Sequence, residues 1–99
     1  PLMSLGGAGV ISVLSNLMPK ETSLLCKKFF EGDVAGSCKM QLDYLPLIHA
    51  LFCEVNPIPV RAAMTAMGYC EDILRLPLVP MSQDKREVLL SLMREQNLI

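Results

Sequence analysis

Tryptophan is absent, histidine occurs once, and no two cysteines form a Cys-x-x-Cys pair. Structural zinc sites draw on closely spaced Cys and His. Cys26, Cys38, Cys53 and Cys70 lie twelve, fifteen and seventeen residues apart with only His49 to join them, which argues against a metal centre. Each cysteine sits among apolar or helical neighbours and the chain is not loop-rich. Four buried cytosolic thiols are therefore expected, rather than two disulfides.

An excess of one charge is missing too. Nine Lys and Arg face ten Asp and Glu, and residues 1–49 alone carry four of each sign. With no basic stripe, and five aromatics that are not interleaved with Lys or Arg, no nucleic-acid partner is expected. No apolar run approaches the ~20 residues of a membrane span. The longest candidate, Leu5 to Leu14, is short, Gly-rich and without the charged leader of a signal peptide, so no membrane partner is expected either.

What the chain has in quantity is apolar surface. Hydrophobic residues make up 52 % and charged residues 19 % of the 99 positions. The mean hydropathy is +0.39. This excludes disorder. It also exceeds what one small domain needs, so some apolar faces are expected to belong against something else. The start at Pro1, directly in an apolar stretch, reads as an internal piece of a longer chain; a processed terminus or an expression cut would look the same.

Gly9-Val10-Ile11-Ser12-Val13-Leu14, entered from Gly6-Gly7-Ala8, reads as a buried strand of parallel type, apolar on both faces. It is the one strand in the reading, and a lone strand is not stable, so its partners are expected outside this chain. Pro19 and Glu21 suit the first turn of a helix that presents Thr22, Leu25, Cys26 and Phe29 on one face and stops near residue 31 at Gly32. Asp33 is placed to cap the next helix. Val34, Cys38, Leu42, Leu45, His49 and Phe52 step along what is expected to be its buried face, and Pro46 predicts a kink or break near Asp43–Leu45. Asn56-Pro57-Ile58-Pro59 reads as an extended corner. A short helix follows, with Val60, Ala63, Met64 and Met67 on its apolar stripe and Gly68 at its end. Residues 73–81, with Pro77 and Pro80, form an irregular connector. Ser82 caps a last helix that buries Val88, Leu89, Leu92 and Met93.

The residues offer little local chemistry. The Gly6–Gly9 cluster is not a dinucleotide loop, because Ser12 stands where a Gly or Ala is needed and the glycines precede the strand rather than follow it. His49 has no nucleophile near it in sequence. Lys20, Lys27 and Lys28 sit beside polar or charged residues, unlike the desolvated amine of a Schiff-base lysine. Asp33 and Asp43 read as a cap and a surface charge. The seven methionines match core stripes. The residues alone give a mostly helical piece with one orphan strand and no self-contained active site.

The string as a whole resembles the dihydrodipicolinate synthase family. Gly6-Gly7-Ala8-Gly9-Val10-Ile11-Ser12-Val13, with Asn16 and Pro19-Lys20-Glu21, is similar to that family's last barrel strand. Leu51 to Arg61, through Asn56-Pro57-Ile58-Pro59, and Leu74-Arg75-Leu76-Pro77-Leu78-Val79-Pro80 are similar to its C-terminal signatures. Val55, where the family usually has Pro, and Cys53 depart from the pattern. The motifs favour this family over the sialic-acid lyases of the same superfamily.

The resemblance implies the C-terminal end of a (β/α)8 TIM barrel: residues 1–32 as the last β/α unit and residues 33–99 as a C-terminal helical domain. A full barrel needs about 250 residues, so only its end fits here. It implies condensation of pyruvate with aspartate semialdehyde towards diaminopimelate and lysine, through a Schiff base on a barrel lysine with a tyrosine relaying protons. It implies no cofactor, and a homo-oligomer, a tetramer. Neither Tyr44 nor Tyr69 matches the relay tyrosine, and no lysine here matches the nucleophile. One site residue carries over: Ile11, whose backbone carbonyl looks out at bound pyruvate. Packing inside the barrel is the plain alternative for Ile11. For the chain, the alternatives are another pyruvate-aldolase paralogue or a non-catalytic helical interaction module.

Overall fold

The computed structural model describes all residues from Pro1 to Ile99. Two short 3-10 turns, Met3–Leu5 and Leu14–Asn16, precede four helices: α1 (Pro19–Phe30), α2 (Val34–Ala50), α3 (Ile58–Ala66) and α4 (Gln83–Glu95). The mostly helical expectation holds. No helix is long and apolar enough to cross a membrane.

Local punctuation accounts for most boundaries. Pro19 opens α1, where its missing N–H costs nothing, Glu21 lies in the first turn and Lys27 and Lys28 in the last. Gly32 then turns the chain at a φ of 93°. Asp33 accepts the Gly36 N–H at 2.9 Å and starts α2 as expected. Gly68 closes the α3 turn at a φ of 84°. The 71–82 segment is irregular, as its two prolines require. Ser82 takes the capping position of α4, but its hydroxyl makes no capping hydrogen bond.

Five expectations are corrected. The 9–14 segment is not a strand: residues 7–12 have no regular structure, and Leu14 opens a 3-10 turn. A strand exists only through a neighbour's ladder, and nothing in this chain supplies one. Pro46 does not break α2, which runs through it with the ring exposed. Only one helical hydrogen bond is lost there, and packing on either side holds the turn. The corner at 56–59 is shorter than expected. It ends at Pro57, after a cis Asn56–Pro57 bond, and Ile58 and Pro59 already belong to the first turn of α3.

The fourth correction concerns helix faces. In α2, Val34, Cys38, Leu42 and His49 are exposed, as is Phe52 just beyond it, while Ser37, Leu47 and Ala50 are buried. Both sides of this helix are apolar, so periodicity alone did not choose between them. In α4, Leu89 and Met93 are buried but Val88 is exposed. The fifth concerns the cysteines. All four are free thiols, but Cys38 and Cys53 are exposed and Cys26 and Cys70 only half-buried.

The core gathers where four pieces meet. Leu14, Leu17 and Met18 join one core with Leu47 and Ala50 of α2, Leu51 just after it, Ala62 and Ala63 of α3, and Leu89 and Met93 of α4. α1 packs on α2, and α4 packs on both α2 and α3. Only 15 of 99 residues are buried, so this core is thin. The accessible surface is 6405 Å², whereas a compact monomer of this mass exposes about 5,600 Å². The radius of gyration is 14.5 Å, against about 13 Å for a globular domain of this length.

Candidate functional site

A groove of about 710 Å³ lies between the N-terminal segment, α1 and α2. Its walls include Val10, Ile11, Leu25, Phe29, Val34 and Leu42. No Asp, Glu, His, Lys or Arg lines it. It can accept apolar surface, but apart from the thiols of Cys26 and Cys38 it contains no acid–base side chain of its own.

Ile11 lies on the unpaired stretch before Leu14, with its side chain fully exposed. It packs into no core in this chain. From Ala8 to Ile11 no backbone N–H or C=O has a protein partner, and the ladder groups of the expected strand are therefore open. Pairing resumes at Ser12, whose hydroxyl accepts from the Ser15 N–H at 3.2 Å, while its carbonyl accepts from the Ser15 hydroxyl at 2.6 Å. The Ile11 carbonyl is thus an acceptor without an intrachain donor, just ahead of a fixed turn.

The lysines are placed as solvated groups. Lys28 pairs with Asp33 at 3.0 Å, Lys27 with Glu31 at 3.7 Å, Lys85 with Glu54 at 3.6 Å, and Lys39 with Asp43. Lys20 is exposed on the first turn of α1. None is the desolvated amine that imine formation requires. Asp33 is the helix cap and Asp43 a surface partner, as expected. His49 is exposed at the end of α2 and lines neither groove nor cleft.

Three groups depart from their ordinary titration, and none lines the groove. The Gly36 N–H, followed by Lys28, holds the Asp33 carboxyl below its usual range. The Ser82 hydroxyl, followed by the Lys85 N–H, does the same for Asp84. The Asp43 carboxylate holds the Lys39 ammonium above its usual range. Their causes are capping and surface pairing, not catalysis.

A second cleft lies between α3 and the irregular 71–82 connector, where Asn16, Asn56, Arg61 and Arg75 come together. Reading the sequence did not single out either arginine as a site residue. They stand fourteen positions apart on different elements, and no motif spacing joins them.

The sequence profile of the Dihydrodipicolinate synthetase family matches residues 1–96. A 4-hydroxy-tetrahydrodipicolinate synthase of Alkaliphilus oremlandii is 52% identical over all 99 residues, which make up 34% of that protein. Among solved structures, the dihydrodipicolinate synthase of Thermotoga maritima superposes with a TM-score of 0.97 at 46% identity, covering 99% of this chain and 33% of its own. The chloride-inhibited dihydrodipicolinate synthase of Acinetobacter baumannii, solved with pyruvate, superposes with a TM-score of 0.93 at 37% identity, covering 99% of this chain and 34% of its own. The chain spans about a third of the length of the relatives it matches.

Proposed function

The chain belongs to the dihydrodipicolinate synthetase family, and on that premise we propose that it is the C-terminal third of a pyruvate-dependent Schiff-base lyase, a 4-hydroxy-tetrahydrodipicolinate synthase. The whole enzyme condenses pyruvate with aspartate semialdehyde in diaminopimelate and lysine biosynthesis. Residues 1–32 are the last β/α unit of its TIM barrel and residues 33–99 its C-terminal helical domain. The enzyme is a homo-oligomer, with four copies by family resemblance.

In this reading the nucleophilic lysine and the relay tyrosine lie outside these 99 residues. The lysine amine adds to the pyruvate ketone and water leaves as the imine forms. The share of this chain in the site is the Ile11 carbonyl, which faces the bound pyruvate. Barrel sites lie at the C-terminal ends of strands, where such a carbonyl would point.

One observation carries the reading. The apolar segment from Ala8 to Ile11 has no regular structure and not a single backbone hydrogen bond within the chain, and it lies inside the stretch that matches the family. Ladder groups left open on this scale fit a strand awaiting its neighbours. The uncovered groove beside it fits the same missing sheet and helices.

The test is a condensation assay on the full-length protein with pyruvate and a panel of aldehydes, on the native chain and on Ile11→Val and Ile11→Pro. Aspartate semialdehyde is expected to be the preferred acceptor. Ile11→Val should keep activity, since the contact is a backbone carbonyl. Ile11→Pro should lose it, since proline removes the ladder N–H. A preference for another aldehyde would move the enzyme to a sister activity. Loss of pyruvate binding in a folded Ile11→Val protein would overturn the carbonyl assignment.

A further inference from the structure

The cleft between α3 and the 71–82 connector has a volume of about 810 Å³ and shares only Val13 with the groove beside Ile11. Its charge is one-sided. Arg61 and Arg75 line it with Asn16 and Asn56, and no Asp or Glu does, although the chain has ten acidic and nine basic residues. Val60, Met64 and Leu74 supply apolar wall.

The wall is held in place. Arg61 Nε donates to the Glu71 carbonyl at 2.9 Å, and Arg86 Nη1 donates to Asp72 Oδ2 at 2.6 Å. These two bonds grip consecutive residues of the connector from α3 and from α4, and so fix where Leu74, Arg75 and Leu78 begin. The bond from Arg61 uses Nε only, and the Arg61 Nη groups have no intrachain acceptor. The Arg75 side chain is exposed and has neither a hydrogen bond nor an ion pair within the chain.

We propose that this cleft is a binding site for a small organic carboxylate. The guanidinium forks match a carboxylate's two oxygens, and two cations with no carboxylate among the lining residues draw such a group in. The apolar wall takes the carbon body, as ligand sites in general combine a few polar anchors with apolar lining. A bare inorganic anion meets the charge but leaves Val60, Met64 and Leu74 unused. The site depends neither on Ile11 nor on the condensation.

The test is an amide-resolved NMR titration of the full-length protein, followed at the residues of this chain, with hexanoate and, separately, with inorganic phosphate. Hexanoate is expected to give saturable shifts confined to residues 56–78 and to bind at least fivefold more tightly than phosphate. Arg75→Gln should weaken hexanoate at least fivefold, Arg75→Lys less, and Arg94→Gln, outside the cleft, not at all. Arg61 is left intact because its loss would also loosen the wall. Shifts scattered over the surface, or equal effects of Arg75→Gln and Arg94→Gln, would overturn the site. Phosphate binding as tight as hexanoate would overturn the carboxylate assignment.

Discussion

The carboxylate of Asp33 lies over the bare α-carbon of Gly36: Oδ1 accepts the Gly36 N–H at 2.9 Å, and a β-carbon on Gly36 would collide with both carboxylate oxygens. The cap and the glycine are one device. Replacing a glycine inside a helix by alanine ordinarily stabilises by about 0.5–1 kcal/mol. Gly36→Ala should fail to do so here, because the methyl displaces the cap. In an Asp33→Ala background the collision is gone, and the same substitution should give the ordinary gain. Urea melts of the four chains measure this. A full gain from Gly36→Ala alone would show that the cap moves aside freely.

The same cap sets an acid limit. The carboxyls of Asp33 and Asp84 both titrate below their ordinary value of 3.8. A depressed carboxyl contributes stability above the unfolded value, and that contribution disappears as pH falls through the folded one. Helicity by circular dichroism should therefore hold down to about pH 4 and decline below it. Asp33→Asn, which caps without titrating, should remove the α2 share of that decline. At the other end, Lys39 titrates above its ordinary 10.5. Its pairing is fully present below that pH and is lost as pH rises through the folded value.

Arg86 and Asp72 tie α4 to the connector fourteen residues upstream. Both side chains are mostly buried, and Asp72 Oδ1 has no hydrogen-bond partner in the chain. Arg86→Met would leave both carboxylate oxygens without a donor, at a cost of about 1–3 kcal/mol. Asp72→Asn should cost less, since it leaves no unpaired anion. Denaturant midpoints measure both. An Arg86→Met chain as stable as the native one would mean that the pair is slack in solution.

The face of α4 can be checked by neighbouring positions. Leu89 is wholly buried and Val88 exposed. Leu89→Ala should cost about 2–5 kcal/mol, and Val88→Ala should stay within about 0.5 kcal/mol. Comparable losses at the two positions would mean that Val88 is covered by something these 99 residues do not contain.

How far the sequence could be read depended on the reach of each signal. Pro19, Gly32, Asp33 and Gly68 act within a turn of themselves, and each boundary they mark was legible. Helix faces needed partners. Val34, Leu42 and Phe52 are as apolar as Leu47, Ala50 and Leu51, and only the positions of the elements packed on α2 decide which set is buried. The 9–14 segment has the composition of a buried strand but lacks its ladder here, so it is irregular although its residues are right for one. The Pro46 penalty is local, and packing along seventeen residues outweighs it. At the site, no spacing of residues singles out the Ile11 carbonyl, because a backbone acceptor has no side-chain signature; only the resemblance named it. Arg61 and Arg75 meet only through the fold.

The central claim is that these residues complete a Schiff-base enzyme without supplying its amine. The most direct measurement is borohydride reduction in the presence of pyruvate, read by mass spectrometry on the 99-residue chain and on the full-length protein. The 99-residue chain should keep its mass, since its lysines are solvated and mostly paired. The full-length protein should gain one pyruvate-derived adduct, on a lysine outside these 99 residues. A stoichiometric adduct on Lys20, Lys27, Lys28, Lys39 or Lys85, or a full-length protein that takes up none, would contradict the account.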